Sequence, residues 1–397
     1  MQKYSLYSYP WDLPGTGAVD IDKLRGELDE LGVRGLTLAA SYHAGKFISP
    51  RGAGRITFPE DGAVYFSPRL YRYGLLKPLV SQVVDRRCNP FAALAQDGRI
   101  PVDAWVVLNH NYRLGSQHPE CTVQNLWGDR YPYSLCPSHP EVQGYVHALC
   151  QDVAEQGHVQ GLSIESPGFM VYAHGFHHEF QQVEMNPWID GMLGLCFCQH
   201  CMAGLHRHAI DAQGLRLRLV QRLRQYLESH AVSTCDMAVD WLLADLISDD
   251  DLRAMIRWRS DSVTALVASI REALPKQISL NVIATCQRPH ATAFLEGMDL
   301  RGLAHVADTI ELPLYQSSAE QVEADAFDAL RRMSGGTALP RAILRPGPPD
   351  TASPAQLKDT VARLTQLGVE ACSFYNYGML RARDLQSIAA VGTHHNG

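Results

Sequence analysis

Short apolar runs alternate with longer stretches in which apolar residues recur at helical spacing. Residues 4–9 are apolar and aromatic and end at Pro10-Trp11-Asp12. Residues 22–31 carry a helical repeat closed by Gly32, whose backbone freedom suits a helix C-terminus. Further strand-like runs cover 35–40, 102–108, 161–165, 278–285, 308–314, 341–345 and 370–375. Helical periodicity covers 140–156, with Ser138 or His139 near its cap, a long stretch at 249–274, and 353–367. Buried strands separated by helices predict a parallel sheet, and eight such units predict a closed (β/α)8 TIM barrel. A doubly wound open sheet would carry an early glycine-rich phosphate loop, and this chain has none.

The whole chain, 1–397, reads as a single barrel domain with two long inserts, at about 43–95 and 166–240. Both follow strand C-termini, the end of a barrel where loops carry function. The balance of 46% hydrophobic and 19% charged residues is that of an ordinary globular core. A net charge of -7 offers no basic footprint for nucleic acid. No apolar run approaches a membrane span. The N-terminus reads as a first strand rather than a secretory leader, so a cytoplasmic protein is expected. Nothing in the pattern decides against a homo-oligomer.

Candidate chemistry gathers at the strand ends. Glu165 closes strand four and Glu311 lies within strand six, Thr309-Ile310-Glu311-Leu312-Pro313. A carboxylate inside an apolar strand is costly unless paired or functional. Two acids flanking a glycosidic bond serve as proton donor and as base or nucleophile. Glu165 is therefore the candidate general acid and Glu311 its partner, although an arginine such as Arg345 could instead hold Glu311. Asp12 and Asp308 are weaker candidates, Asp308 as a loop anchor. His43, Asn109 and His110 follow strands two and three, and the second insert carries His174, His177 and His178. Tyr315, Tyr375 and Asn376 stand at or beyond later strand ends. Aromatic faces with amide and imidazole donors suit a polar ring-shaped ligand, so these residues, His177 among them, are candidate substrate contacts. Arg345 ends strand seven, where it could grip an anionic group of the ligand or neutralise a catalytic carboxylate.

Cys196-Phe197-Cys198-Gln199-His200-Cys201 places three of the ten cysteines within six residues. The Cys-x-x-Cys spacing is that of a structural zinc site. The fourth ligand is expected to be Cys136, with His200 and Cys150 as alternatives. Reduced thiols with one structural Zn2+ fit better than disulfides, and no organic cofactor is expected.

The cysteine trio, set soon after a strand ending in glutamate, resembles the barrel of the family 42 β-galactosidases, in the clan of retaining (β/α)8 glycosidases. Cys136-Pro137-Ser138-His139-Pro140 ahead of a helix is similar to their earlier cysteine segment, and Ile256-Arg257-Trp258-Arg259 to the helix before strand five. The resemblance covers residues 100–275 and is closer to an uncharacterised glycosidase-like family than to the true β-galactosidases. It implies a zinc held by an earlier cysteine plus the trio, and Glu165 as acid/base. Two departures stand out. The clan's Asn-Glu at strand four is here Ile164-Glu165, and its strand-seven glutamate nucleophile is here Arg345. Expected, then, is a glycoside hydrolase-like enzyme acting on a small saccharide or glycoside. The alternatives are a metal-dependent hydrolase, lyase or isomerase using the histidines, and a sugar-binding barrel without catalysis.

Overall fold

The computed structural model describes residues 4–51, 56–173, 182–287 and 289–392. Eight parallel strands form the barrel: β1 Tyr4–Ser8, β2 Gly35–Tyr42, β3 Val102–Val107, β4 Gly161–Glu165, β5 Ser279–Ile283, β6 Thr309–Pro313, β7 Leu339–Leu344 and β8 Ala371–Phe374. Each pairs with the next in chain order, and β1 pairs with both β2 and β8, which closes the ring.

The outer ring consists of α1 Ile21–Glu30, α2 Pro90–Asp97, α3 Pro140–Glu155, α4 Asp250–Ala273, α5 Leu300–Val306, α6 Ala319–Met333, α7 Pro354–Gln366 and α8 Ala382–Gly392. Their starts follow from side-chain caps. Asp20 accepts from Lys23 N at 3.1 Å, Asp249 from Leu252 N at 3.2 Å, and Ser353 from Gln356 N at 3.2 Å. His139, not Ser138, caps α3 with Pro140 in the first turn. No helix among the described residues is long and apolar enough to cross a membrane.

Alternation along the strands sorts the barrel into two environments. Leu6, Leu38, Val106, Leu162, Leu280, Ile310, Ala342 and Phe374 are buried, and the residues between them face the barrel axis. The axis is unusually polar. Tyr7 Oη donates to Glu311 Oε2 at 2.9 Å, Arg341 Nη1 donates to Glu311 Oε1 at 3.0 Å, and Ser163 Oγ also bonds the Glu311 carboxylate. Arg341 reaches Asp103 at 3.3 Å, and Ser5 and Ser373 hydroxyls meet at 2.7 Å. The β6–β7 register sets Glu311 directly opposite Arg341. Arg345 lies four residues, or about 13 Å, further along. The arginine that holds Glu311 is therefore Arg341, which corrects the expectation of Arg345.

Insertions enlarge the C-terminal end. After β2 come short strand pairs, Phe47–Ile48 with Ile56–Thr57 and Ala63–Val64 with Leu79–Val80. After β4 come helices Pro187–Leu193, Gln199–Arg207, Ala212–Leu227 and Cys235–Ser248. Asp308 acts as the expected anchor, accepting from Leu280 N and Arg271 Nη1, each at 2.7 Å.

Candidate active site

A cavity of about 930 Å3 opens at the C-terminal end of the strands, in the upper range for small-ligand sites. Its base is formed by inward residues near the strand ends: Tyr7, Trp105, Glu165, Ile283, Pro313, Ile343 and Tyr375. The end of β2 adds Tyr42, loops after β2 and β3 add His43, Phe47, Asp61, His110 and Tyr112, and loops after later strands add Thr285, Cys286, Tyr315 and Arg345.

Glu165 is the central acid. Trp105 pairs with Ser163 across β3 and β4, so Glu165 is its diagonal neighbour on the same face. The indole Nε1 donates to Glu165 Oε2 at 2.6 Å. Cys286 Sγ lies 3.7 Å from Glu165 Oε1. Burial pushes the Glu165 carboxyl up to about 7, against the lowering effect of the Trp105 and Cys286 hydrogen bonds. The acid thus keeps its proton to higher pH than an ordinary carboxyl, the condition that suits a proton donor.

Aromatic rings wall the site. Trp105 meets Tyr42 edge-on at 4.8 Å and Tyr7 edge-on at 5.2 Å, and Tyr9 and Tyr375 hydroxyls meet at 2.9 Å. The Tyr375–Asn376 peptide bond is cis. His43 stacks on both Tyr42 and His110, each at 4.1 Å between ring centroids. Arg345 lies over the Tyr315 ring, with Cζ 4.3 Å from the centroid, and its Nε is ion-paired with Asp350.

Several expected residues are elsewhere. Glu311 is fully buried beneath Tyr7 and does not line the cavity; its carboxylate is consumed by Tyr7, Ser163 and Arg341. Asn109 is buried and donates to Pro167 O at 2.7 Å, so it holds the loop after β4. Asn376 is also buried, its Oδ1 accepting from Gly378 N at 3.3 Å. Neither lines the cavity. Asp12 is buried outside the cavity, and burial pushes it up to about 7. His174, His177 and His178 lie outside the described residues. His43, His110, Tyr315, Arg345 and Tyr375 do converge on the cavity with Glu165.

Other residues come into view only in three dimensions. Asp61 is a second acid of the cavity, its two oxygens accepting from Ala44 N and Arg113 N, each at 3.0 Å. It lies in the first insert, where no periodicity marks it. Glu296 is buried, and accepts from Thr285 Oγ1 at 2.6 Å and Cys286 N at 3.1 Å. Burial pushes it too up to about 7, with the nearby Glu165 adding to the rise. It clamps the β5 loop that brings Cys286 to Glu165. Trp105 was readable as a strand residue whose inward parity matches Glu165.

Cys136, after β3, and Cys196, Cys198 and Cys201, within the second insert, are all buried with their sulfur atoms within 4.8 Å of one another. Cys136 Sγ is 3.6 Å from Cys198 Sγ, 3.6 Å from Cys201 Sγ and 3.8 Å from Cys196 Sγ. A tetrahedron with metal–sulfur bonds of about 2.3 Å has edges of about 3.8 Å, so these spacings suit one four-coordinate ion. Gln124 N–H points to Cys196 Sγ at 3.5 Å. The Arg259 guanidinium, fully buried, donates among the described residues to the carbonyls of Gly194 and Leu295 and lies in the field of Cys136, Cys196 and Cys201. A buried cation beside thiols favours the thiolate form that a metal requires. Among the described residues this is the one convergent group of metal-ligating side chains. Cys150 and His200 do not belong to it.

No protein-family model matches the chain, and no curated protein matches it. Solved structures do. An α-L-fucosidase isoenzyme 2 from Paenibacillus thiaminolyticus superposes with a TM-score of 0.57 at 12% identity, over 99% of this chain and 49% of that one. The chain thus spans about half the length of that fucosidase. The catalytic domain of a β-amylase from Paenibacillus polymyxa gives 0.51 at 11% identity, over 98% of this chain and 96% of that one. An endo-1,4-β-mannanase from Rhizomucor miehei gives 0.51 at 9% identity, over 99% and 93%. At such identities the likeness establishes the fold, a (β/α)8 TIM barrel.

Proposed function

We propose that this chain is a glycoside hydrolase acting on a small saccharide or glycoside, with Glu165 as its general acid. The observation that carries this is a cavity-facing carboxyl at the end of β4, pushed up to about 7 and oriented by the Trp105 N–H. Its placement on a barrel shared with a fucosidase, a β-amylase and a mannanase supports it. A protonated Glu165 donates to the departing glycosidic oxygen, and Trp105, Tyr42, Tyr7 and Tyr375 stack against the sugar ring. His43, His110 and Tyr315 face its hydroxyls. The second carboxylate that acid/base cleavage needs is offered in this cavity by Asp61 rather than Glu311.

The test is hydrolysis of an aryl-glycoside panel by wild type, Glu165→Gln and Asp61→Asn. Loss of turnover by Glu165→Gln, on about the 100- to 10,000-fold scale of general acid catalysis, with sugar binding kept, is the expected result. Turnover undiminished in Glu165→Gln overturns it. A sugar-binding barrel without catalysis is the second reading, favoured by Arg345 standing where the related clan has its strand-seven carboxylate. Binding without turnover by the wild type selects it.

We further infer that Cys136, Cys196, Cys198 and Cys201 hold one structural zinc ion. With four thiolate ligands the ion is closed to substrate and fastens the insert after β4 to the segment after β3. Its role is to support the barrel wall near Glu165, apart from the reaction.

A further inference from the structure

The cavity holds one side chain whose chemistry exceeds what a neutral sugar requires. Arg345 extends from the end of β7 into the site, and its side chain is 33% exposed. Two contacts fix the plane of its guanidinium. The face lies on the Tyr315 ring at 4.3 Å, and Nε is ion-paired with Asp350, which is itself buried. Asp350 is set for this by its own loop. Arg345 O accepts from Thr351 Oγ1 at 2.7 Å, and Asp350 O accepts from Gln356 Nε2 at 2.9 Å. Among the described residues, neither terminal amino group of Arg345 makes a hydrogen bond. The guanidinium is therefore oriented at one edge while its distal edge, with two parallel N–H donors, is left for a ligand of the cavity that Arg345 lines. That edge matches a planar carboxylate in a bidentate pair. An arginine whose task was to neutralise a catalytic acid would contact one, yet Glu165 is held by Trp105 and Cys286, and Asp61 by the backbone N–H groups of Ala44 and Arg113.

We propose that the substrate is an acidic glycoside, a sugar bearing a carboxylate of the uronic acid type, and that Arg345 is its specificity-determining residue. This rests on the glycosidase reading of the same cavity. The ring lies against the aromatic wall, its exocyclic carboxylate reaches toward β7, and the glycosidic oxygen lies at Glu165. Stacking on Tyr315 and pairing with Asp350 remove the rotamer freedom that a flexible arginine would lose on binding.

Binding to the Glu165→Gln protein, measured by calorimetry, tests this without requiring turnover. The probes are methyl glycosides of glucuronic, galacturonic and mannuronic acid in both anomers, each with its neutral parent sugar and its 6-sulfated counterpart. At least one uronide is expected to bind ten-fold or more tightly than its neutral parent. That gap should shrink with added salt. Adding Arg345→Gln should reduce the gap to two-fold or less, and Arg345→Lys should restore part of it. Equal binding of uronide and parent, no uronide binding at 10 mM, a gap untouched by Arg345→Gln, or preference for the sulfated sugar each overturns the proposal. Failure of the underlying reading looks different. Arg345-dependent uronide binding with no glycoside hydrolysed by the wild type keeps this proposal and removes the glycosidase. Glu165-dependent hydrolysis of neutral glycosides alone does the reverse.

Discussion

The indole N–H of Trp105 is donated to Glu165 across 2.6 Å, the one strong donor on a carboxyl that burial would otherwise keep neutral. This bond favours the charged form. Its removal in Trp105→Phe should therefore raise the Glu165 pKa further. For a general acid the active form is protonated, so the basic limb of the pH profile of kcat/KM should move up, by about one pH unit for the loss of one charged hydrogen bond. A basic limb that stays in place or moves down would separate Glu165 from the proton donor.

Glu165 also leaves a signature in stability. Its folded pKa, about 7, lies above its ordinary value of 4.5. Folding thus favours the protonated form, and the stability this gives is full below pH 4.5 and lost as pH rises through 7. Glu165→Gln mimics the neutral acid and can still accept from Trp105. It should melt higher than wild type at pH 8 and match it near pH 4. Melting curves across that range check the sign, and a variant less stable at pH 8 contradicts it.

Glu311 and Arg341 stand opposite one another inside the barrel, 3.0 Å apart, with Glu311 fully buried. Arg341→Met strands a buried carboxylate and should cost about 3–5 kcal/mol. The double variant Arg341→Met with Glu311→Leu should recover a large part of that loss. Denaturant unfolding of the two proteins decides the matter. If Arg341→Met is neutral, the pair does not hold the barrel axis.

The four cysteines make a prediction about composition. Elemental analysis should find one zinc per chain. Cys136→Ser, or prolonged treatment with a strong chelator, should release it and lower the melting temperature. An ion that leaves without any change in melting would end the structural assignment.

Glu296 clamps the β5 loop at Thr285 and Cys286 without lining the cavity. On the proposed mechanism it is a positioning residue. Glu296→Gln keeps one acceptor for Thr285 and should lower kcat by less than ten-fold, whereas Glu296→Ala frees the loop and should lower it further. Equal activity in both would show that the clamp does not reach Glu165.

The order of strands and helices was legible in the chain because each element carries its own period. Eight apolar runs set apart by helical repeats leave few closed arrangements, and caps such as His139 and Ser353 are local. The Cys-x-x-Cys pair and the strand-end position of Glu165 are local signals of the same kind. Pairing across the barrel is another matter, because it depends on register. Whether Glu311 meets Arg341 or Arg345 is a question of how β6 and β7 align, since both arginines share one parity and only the register decides which stands opposite. Asp61, Cys286 and Glu296 escaped notice because their partners lie 10 to 121 residues away in the chain.

The sequence by itself determined the barrel, the two inserts at the C-terminal ends of its strands, the acid that closes β4 and the cysteine trio, since each rests on spacing within one segment. Only the tertiary structure decided that Cys136 completes the thiol cluster, that Trp105 rather than a basic residue holds Glu165, and that Glu311 belongs to the barrel axis while Arg345 is left facing the cavity. Those outcomes depend on burial and on distances between segments far apart in the chain, and both arise only when the ring of strands closes.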